Sequence, residues 1–199
     1  MERSQGSRKR AHPRERLTVT AVALLRAVNV GGAGKLLMRD LAAVFSELGC
    51  QTVETYIQSG NVVFAAPEET ISALPSRLSA ALRRKFGFDA KVVIRRESQL
   101  RRVIEENPFL ERGVDPAELH VMFLDARPAA SRAKSLDANR SPPDEFVLIG
   151  EEIYLRLPNG VGRSKLANAY FEKVLGGAAT TRNWRTVIKL HEMASARRA

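Results

Sequence analysis

A single cysteine, Cys50, in 199 residues rules out an intrachain disulfide framework and a cysteine-rich zinc site, and it fits a reducing compartment. Histidine is nearly as scarce. His12, His120 and His191 lie far apart with no ligand spacing, so no metal site is expected. Long apolar runs are missing too: no stretch approaches the 18 or so residues of a membrane span, so no membrane partner is expected. The apolar run 17–25 follows a basic tail, as in a secretory signal. Arg26 ends it after nine residues, however, and no small-x-small cleavage site follows. The expected location is cytoplasmic.

What is present has a globular balance, 44% hydrophobic and 27% charged, and the length suits one large or two small domains. Acid is the scarcer charge: 32 Lys and Arg face 22 Asp and Glu, a net +10 that invites a nucleic-acid reading. The excess is local. Residues 1–16 carry +4, the last six carry +2, and residues 156–190 carry +6 with Glu172 as their one acid, which leaves about −2 elsewhere. The charge therefore points to solvated tails plus one basic segment.

Periodicity divides the body in two. Residues 18–27 read as a buried strand and 29–35 as a glycine loop. Met38, Leu41, Val44, Phe45 and Leu48 recur at helical spacing up to Gly49. Residues 52–58 and 61–65 form a hairpin across Ser59-Gly60. Ile71, Leu74, Leu78, Leu82 and Phe86 mark a second helix, with Pro75 expected near its first turn, and 91–95 is a fourth strand. This is the β-α-β-β-α-β order of a ferredoxin-like unit. The second half repeats it less completely. A helix at about 97–106 is followed by a strand 119–124, a helix 129–136, paired strands 146–149 and 153–157, and helices 164–175 and 183–193. The expected class is α+β with two ferredoxin-like subdomains, the second incomplete or modified. A basic disordered tail (1–16) precedes the first unit (17–96); a connecting helix and loop (97–116), the second unit (117–193) and a short tail (194–199) follow.

Three expected helix starts share a composition. One follows Gly31-Gly32-Ala33-Gly34-Lys35, one opens with Arg163-Ser164-Lys165, and one spans Thr180-Thr181-Arg182-Asn183-Trp184-Arg185. A cation at a helix amino end opposes the dipole by roughly 0.3–1 kcal/mol, so the pattern favours a bound anion held by N–H groups and side chains together. Asn29, Gly31, Gly32, Lys35, Arg163, Ser164, Lys165, Arg182, Asn183 and Arg185 are the resulting candidates. Gln58, Ser59 and Asn61 either serve turn geometry or hydrogen-bond the same ligand. The glycine loop is not a nucleotide P-loop, because Asn29 and Leu36 stand where glycine and Ser or Thr are required. The hairpin offers only Tyr56 and Phe64, without an RNA-recognition signature. Trp184 either stacks on a base or anchors the last helix.

Together, the segments Ala23-Leu24-Leu25-Arg26-Ala27-Val28-Asn29-Val30-Gly31-Gly32, Thr55-Tyr56-Ile57-Gln58-Ser59-Gly60-Asn61-Val62-Val63-Phe64, Leu157-Pro158-Asn159-Gly160-Val161-Gly162-Arg163-Ser164-Lys165-Leu166 and Thr181-Arg182-Asn183-Trp184-Arg185-Thr186-Val187 resemble the bacterial domain of unknown function 1697 family. The likeness runs from about residue 18 to 193, with Ala27 where glycine is usual. It implies a two-part α+β architecture of ferredoxin-like units and names no reaction or cofactor. The expected function is binding of a phosphate-bearing small molecule or nucleotide. The alternatives are a nucleic-acid-binding module that uses the tail and basic segment, and an enzyme acting on a phosphorylated substrate. No residue set singles out a catalytic group.

Overall fold

The structure is a computed structural model that describes residues 17–26, 28 and 36–198. Seven elements appear and then recur in the same order. The first set is β1 (Thr18–Leu25), α1 (Met38–Glu47), β2 (Gln51–Tyr56), β3 (Asn61–Pro67), α2 (Glu68–Phe86), β4 (Val92–Arg96) and α3 (Glu97–Glu105). The second is β5 (Leu119–Leu124), α4 (Ala130–Ala133), β6 (Glu145–Ile149), β7 (Glu152–Arg156), α5 (Asn168–Leu175), β8 (Ala179–Asn183) and α6 (Trp184–Ser195). Each set builds a four-stranded antiparallel sheet, in the orders β2-β3-β1-β4 and β6-β7-β5-β8. The class is α+β.

Four sequence expectations need correcting. The second half is not missing its last strand: β8 occupies residues read as a helix start. Its Thr180-Thr181-Arg182-Asn183 has no apolar alternation, because its side chains meet hydrogen-bond partners instead of a greasy face. Next, α5 begins at Asn168 and not at Ser164, leaving Arg163 in a separate 3-10 turn, Val161–Arg163. Third, Pro75 lies inside α2, since that helix starts at Glu68, directly after Pro67, and removes one intrahelical donor there. Last, residues 194–198 are not a tail. Ala194 is fully buried, α6 runs on to Ser195, and Arg197 donates to the Thr52 carbonyl and, at 2.8 Å, to Glu54. The N-terminal tail, residues 1–16, lies outside the described residues.

Three apolar clusters give five layers. On one face of the first sheet, Ala21, Ala23, Leu25, Val62 and Phe64 pack against Phe45 of α1 and Leu74 and Leu78 of α2. On its other face, Val22, Leu24, Val63 and Val93 meet Leu100 and Val103 of α3 and Trp184, Val187 and Leu190 of α6. The same two helices carry Val121, Phe123 and Tyr154 of the second sheet, whose far face packs on Phe171 and Leu175 of α5. Thus α3 and α6 form the filling between two sheets. Each large side chain buried there contributes about 1.5–3 kcal/mol. Trp184, 5% exposed, is an anchor of this layer, which decides between the two readings of it.

Strand register defines which residues of the two sets correspond. Val22 pairs with Val63 and Arg95, as Val121 pairs with Tyr154 and Arg182. Likewise Leu24 pairs with Asn61 as Phe123 pairs with Glu152, and Tyr56 with Asn61 as Ile149 with Glu152. Arg95 therefore corresponds to Arg182, Asn61 to Glu152, and Tyr56 to Ile149.

Candidate functional site

These corresponding arginines cross the filling layer in opposite directions. Arg95, 3% exposed, reaches from β4 to the second sheet. Its Nε donates to Glu152 Oε1 at 2.7 Å, one terminal nitrogen to the Leu124 carbonyl at 2.7 Å, and the other to the carbonyl of Ile94 at 2.9 Å. Glu151 stands 3.4 Å away as a second carboxylate. Arg182 reaches from β8 to the first sheet with the same fingers. Its Nε donates to Asn61 Oδ1 at 2.5 Å, and its terminal nitrogens to the carbonyls of Leu25 (2.8 Å), Ser59 (3.1 Å) and Thr181 (2.9 Å) and to Thr180 Oγ1 (2.8 Å). The two clamps differ in charge. Arg95 meets carboxylates; Arg182 meets neutral acceptors, and burial pushes its guanidinium down to about 10.

Asn61 ties this clamp to the hairpin, because its Nδ2 also donates to the Tyr56 carbonyl at 3.1 Å. The next residue, Ile57, is left-handed (φ +49°) and half exposed. A β-branched side chain in that region is strained by roughly 1–2 kcal/mol, so the turn tip is held by its surroundings against local preference.

Beside the Arg182 clamp lies a groove of about 730 Å³, walled by Tyr56, Pro116 and Ala117 and by Asn183, Trp184, Arg185, Ile188, Lys189 and Glu192 of α6 and its cap. Asn183 caps α6 through Oδ1, which accepts from the Thr186 N–H at 2.8 Å. Arg185 is exposed and makes no ion pair among the described residues, whereas Lys189 is 3.2 Å from Glu192. A second groove, about 230 Å³, lies beside the Arg95 clamp; Ile149 in its wall corresponds to Tyr56 in the first, but Glu152 is a wall residue here whereas its counterpart Asn61 does not line the first groove. The second groove is lined by Gln99, Arg102, Val103, Glu106, Arg127 and the 149–152 hairpin. Here Glu106, Glu151 and Glu152 outnumber two arginines. The two grooves thus carry opposite charge balances in their linings.

The sequence candidates separate accordingly. Asn61, the Ser59 carbonyl and Arg182 come together and bind one another. Asn183 and Arg185 line the larger groove, and Gln58 is exposed on the hairpin. Arg163, Ser164 and Lys165 belong elsewhere: the Ser164 hydroxyl accepts from Leu166 N–H at 3.0 Å, and the Lys165 backbone contacts Ser141 and Arg140. Asn29, Gly31, Gly32 and Lys35 lie outside the described residues. The common premise of three helix starts is corrected for Arg163–Lys165, which precede α5, and for Arg182, which is in a strand, whereas Asn183 and Arg185 do stand at the start of α6. Ile188 and Lys189 were missed, although their i+3 and i+4 spacing from Arg185 becomes visible once α6 starts at Trp184. Ile57 gave no signal, since nothing in an Ile-Gln-Ser-Gly run announces a left-handed isoleucine. Among the described residues, no helix is long and apolar enough to cross a membrane.

Among known proteins, the chain matches the family described as protein of unknown function (DUF1697) over residues 19–154, a span that ends within β7. No curated protein matches it. Of solved structures, it is similar to the conserved bacterial protein SP0830 from Streptococcus pneumoniae. The two share 20% identity over 89% of this chain and 99% of that one, with a TM-score of 0.66, a likeness of fold alone.

Proposed function

The chain belongs to the DUF1697 family, which brings no activity with it, and from the charge geometry we propose a cytoplasmic protein that binds a phosphorylated small ligand or nucleotide in the groove beside α6. One observation supports the reading: among the described residues Arg185 has no ion-pair partner, and the walls of this groove hold two cations to one carboxylate, whereas those of the smaller groove hold two cations to three carboxylates. The volume suits a small ligand, since such sites span roughly 300–1,000 Å³. Tyr56 and Ile188 supply an apolar wall for a base or carbon skeleton, and Arg185 and Lys189 supply cations for a phosphate. Among the described residues, no group of three or more His, Cys, Asp or Glu could hold a metal ion, and binding is the activity proposed.

Calorimetric titration with inorganic pyrophosphate, AMP and ADP tests this. Saturable binding by the wild type and a loss on the order of tenfold in Arg185→Ala is the expected result. Silence at millimolar ligand, or an Arg185→Ala variant that binds like the wild type, refutes it. A single-stranded oligonucleotide that binds with higher affinity than any of these would transfer the groove to nucleic acid.

A further inference from the structure

We infer that Asn61 is the residue that makes the groove beside α6 select anions. The inference rests on the binding reading above and adds the determinant of its charge preference. Two clamps of the same build, each with an arginine Nε donating to one side-chain oxygen, differ at that oxygen: Glu152 in one, Asn61 in the other. An amide oxygen accepts from the same donor more weakly than a carboxylate does, and it leaves the guanidinium charge standing. Among the described residues, Arg182 is therefore a hydrogen-bonded cation with no carboxylate partner.

That cation does not line the groove itself but is joined to its wall through Asn61. Asn61 bonds Arg182 with one end of its amide and the carbonyl of Tyr56, a wall residue, with the other. Asn183, the residue after Arg182, is also a wall residue. In the other clamp Arg95 is neutralised by Glu152 at 2.7 Å and Glu151 at 3.4 Å, both of them wall residues of the smaller groove. Partly buried charges are poorly screened, so a fixed cation joined to the wall adds to the pull of Arg185 and Lys189 on a multiply charged ligand. Asn61 acts through Arg182 and is a positioning residue, not a ligand contact.

The experiment titrates inorganic pyrophosphate into the wild type and three variants at one salt concentration. Asn61→Asp supplies the missing carboxylate and weakens binding on the order of tenfold. Asn61→Ser keeps a neutral oxygen and stays within about threefold of the wild type, while Glu152→Gln, in the other clamp, leaves the affinity unchanged. Equal losses in Asn61→Asp and Asn61→Ser would reduce Asn61 to a shape requirement and overturn the inference, as would an Asn61→Asp variant that binds normally. If Asn61→Asp does not fold, Arg182→Gln removes the same charge from the other side and must show the same loss. An unchanged affinity there is equally fatal. Wild-type silence, or an Arg185→Ala variant that binds normally, sinks the groove itself; normal Asn61→Asp binding with a defective Arg185→Ala sinks only the role of Asn61.

Discussion

Replacing each clamp arginine by methionine separates a charge pair from a set of neutral hydrogen bonds within one molecule. In Arg95→Met, Glu152 loses a partner at 2.7 Å while its own side chain is only 16% exposed. Breaking a buried pair from one side typically costs about 3–5 kcal/mol, because the remaining charge is left without compensation. Glu151 is 39% exposed and adds little. Arg182→Met leaves only neutral acceptors behind. Unmet carbonyls cost about 1–3 kcal/mol, and removing a desolvated cation offsets part of that. Arg95→Met should therefore be the more destabilising by about 2 kcal/mol. Urea unfolding read by circular dichroism and by the fluorescence of buried Trp184 gives both free energies, provided the two transitions coincide. Adding Glu152→Met to Arg95→Met should recover stability. Equal costs for the two single variants, or no recovery in the double variant, would refute the distinction between ionic and neutral clamps.

Three further outcomes can be checked. Gly60 has φ +70°, and a Cβ there would come 2.8 Å from Leu25 Cβ, so Gly60→Ala should lose about 2 kcal/mol or more in urea unfolding. Gly49→Ala, with φ +91° and open space around it, should lose about 1 kcal/mol, and a reversed order would contradict the packing under the hairpin. Burial pushes the Cys50 thiol up to about 11, so its labelling by an aromatic disulfide at pH 8 should be slow when folded and fast in urea; fast labelling of the folded protein would place Cys50 at the surface. Burial likewise lowers the pKa of His120, so the unfolded chain binds the extra proton. Stability is then complete above about pH 6.5 and falls as the pH drops through the folded value; His120→Gln should flatten that slope, and an unchanged slope would assign it to other groups.

Much of this fold was legible, and the reason is apolar spacing. Leu41, Val44 and Phe45 predicted α1, and Ile71, Leu74, Leu78 and Leu82 predicted α2, because each helix buries one stripe on one sheet. The hairpins at Ser59-Gly60 and Gly150 were visible in the same way. What stayed hidden is polar. Thr180 and Arg182 are satisfied by partners up to 157 residues away, and no local pattern encodes such a pairing. The candidate residues Arg182 and Asn61 were picked out for the right chemical types, cation and amide. Their first use, however, is to bind each other, and the groove became visible only with the placement of α6. A run of basic residues in sequence also proved to be several separate sites in space.

The filling layer constrains how the molecule can be made. Val22 and Leu24 of the first strand share a cluster with Val187 and Leu190, more than 160 residues later in the chain. Contacts of such separation slow folding, because a long loop must close before they form. During synthesis from the ribosome, the first sheet and α3 can assemble, yet one apolar face stays wet until α6 emerges. A chain cut after residue 183 would keep both sheets and lose the helix that lies between them. Its expected fate is association through that bared face, with both sheets seeking in another molecule the cover that α6 should provide.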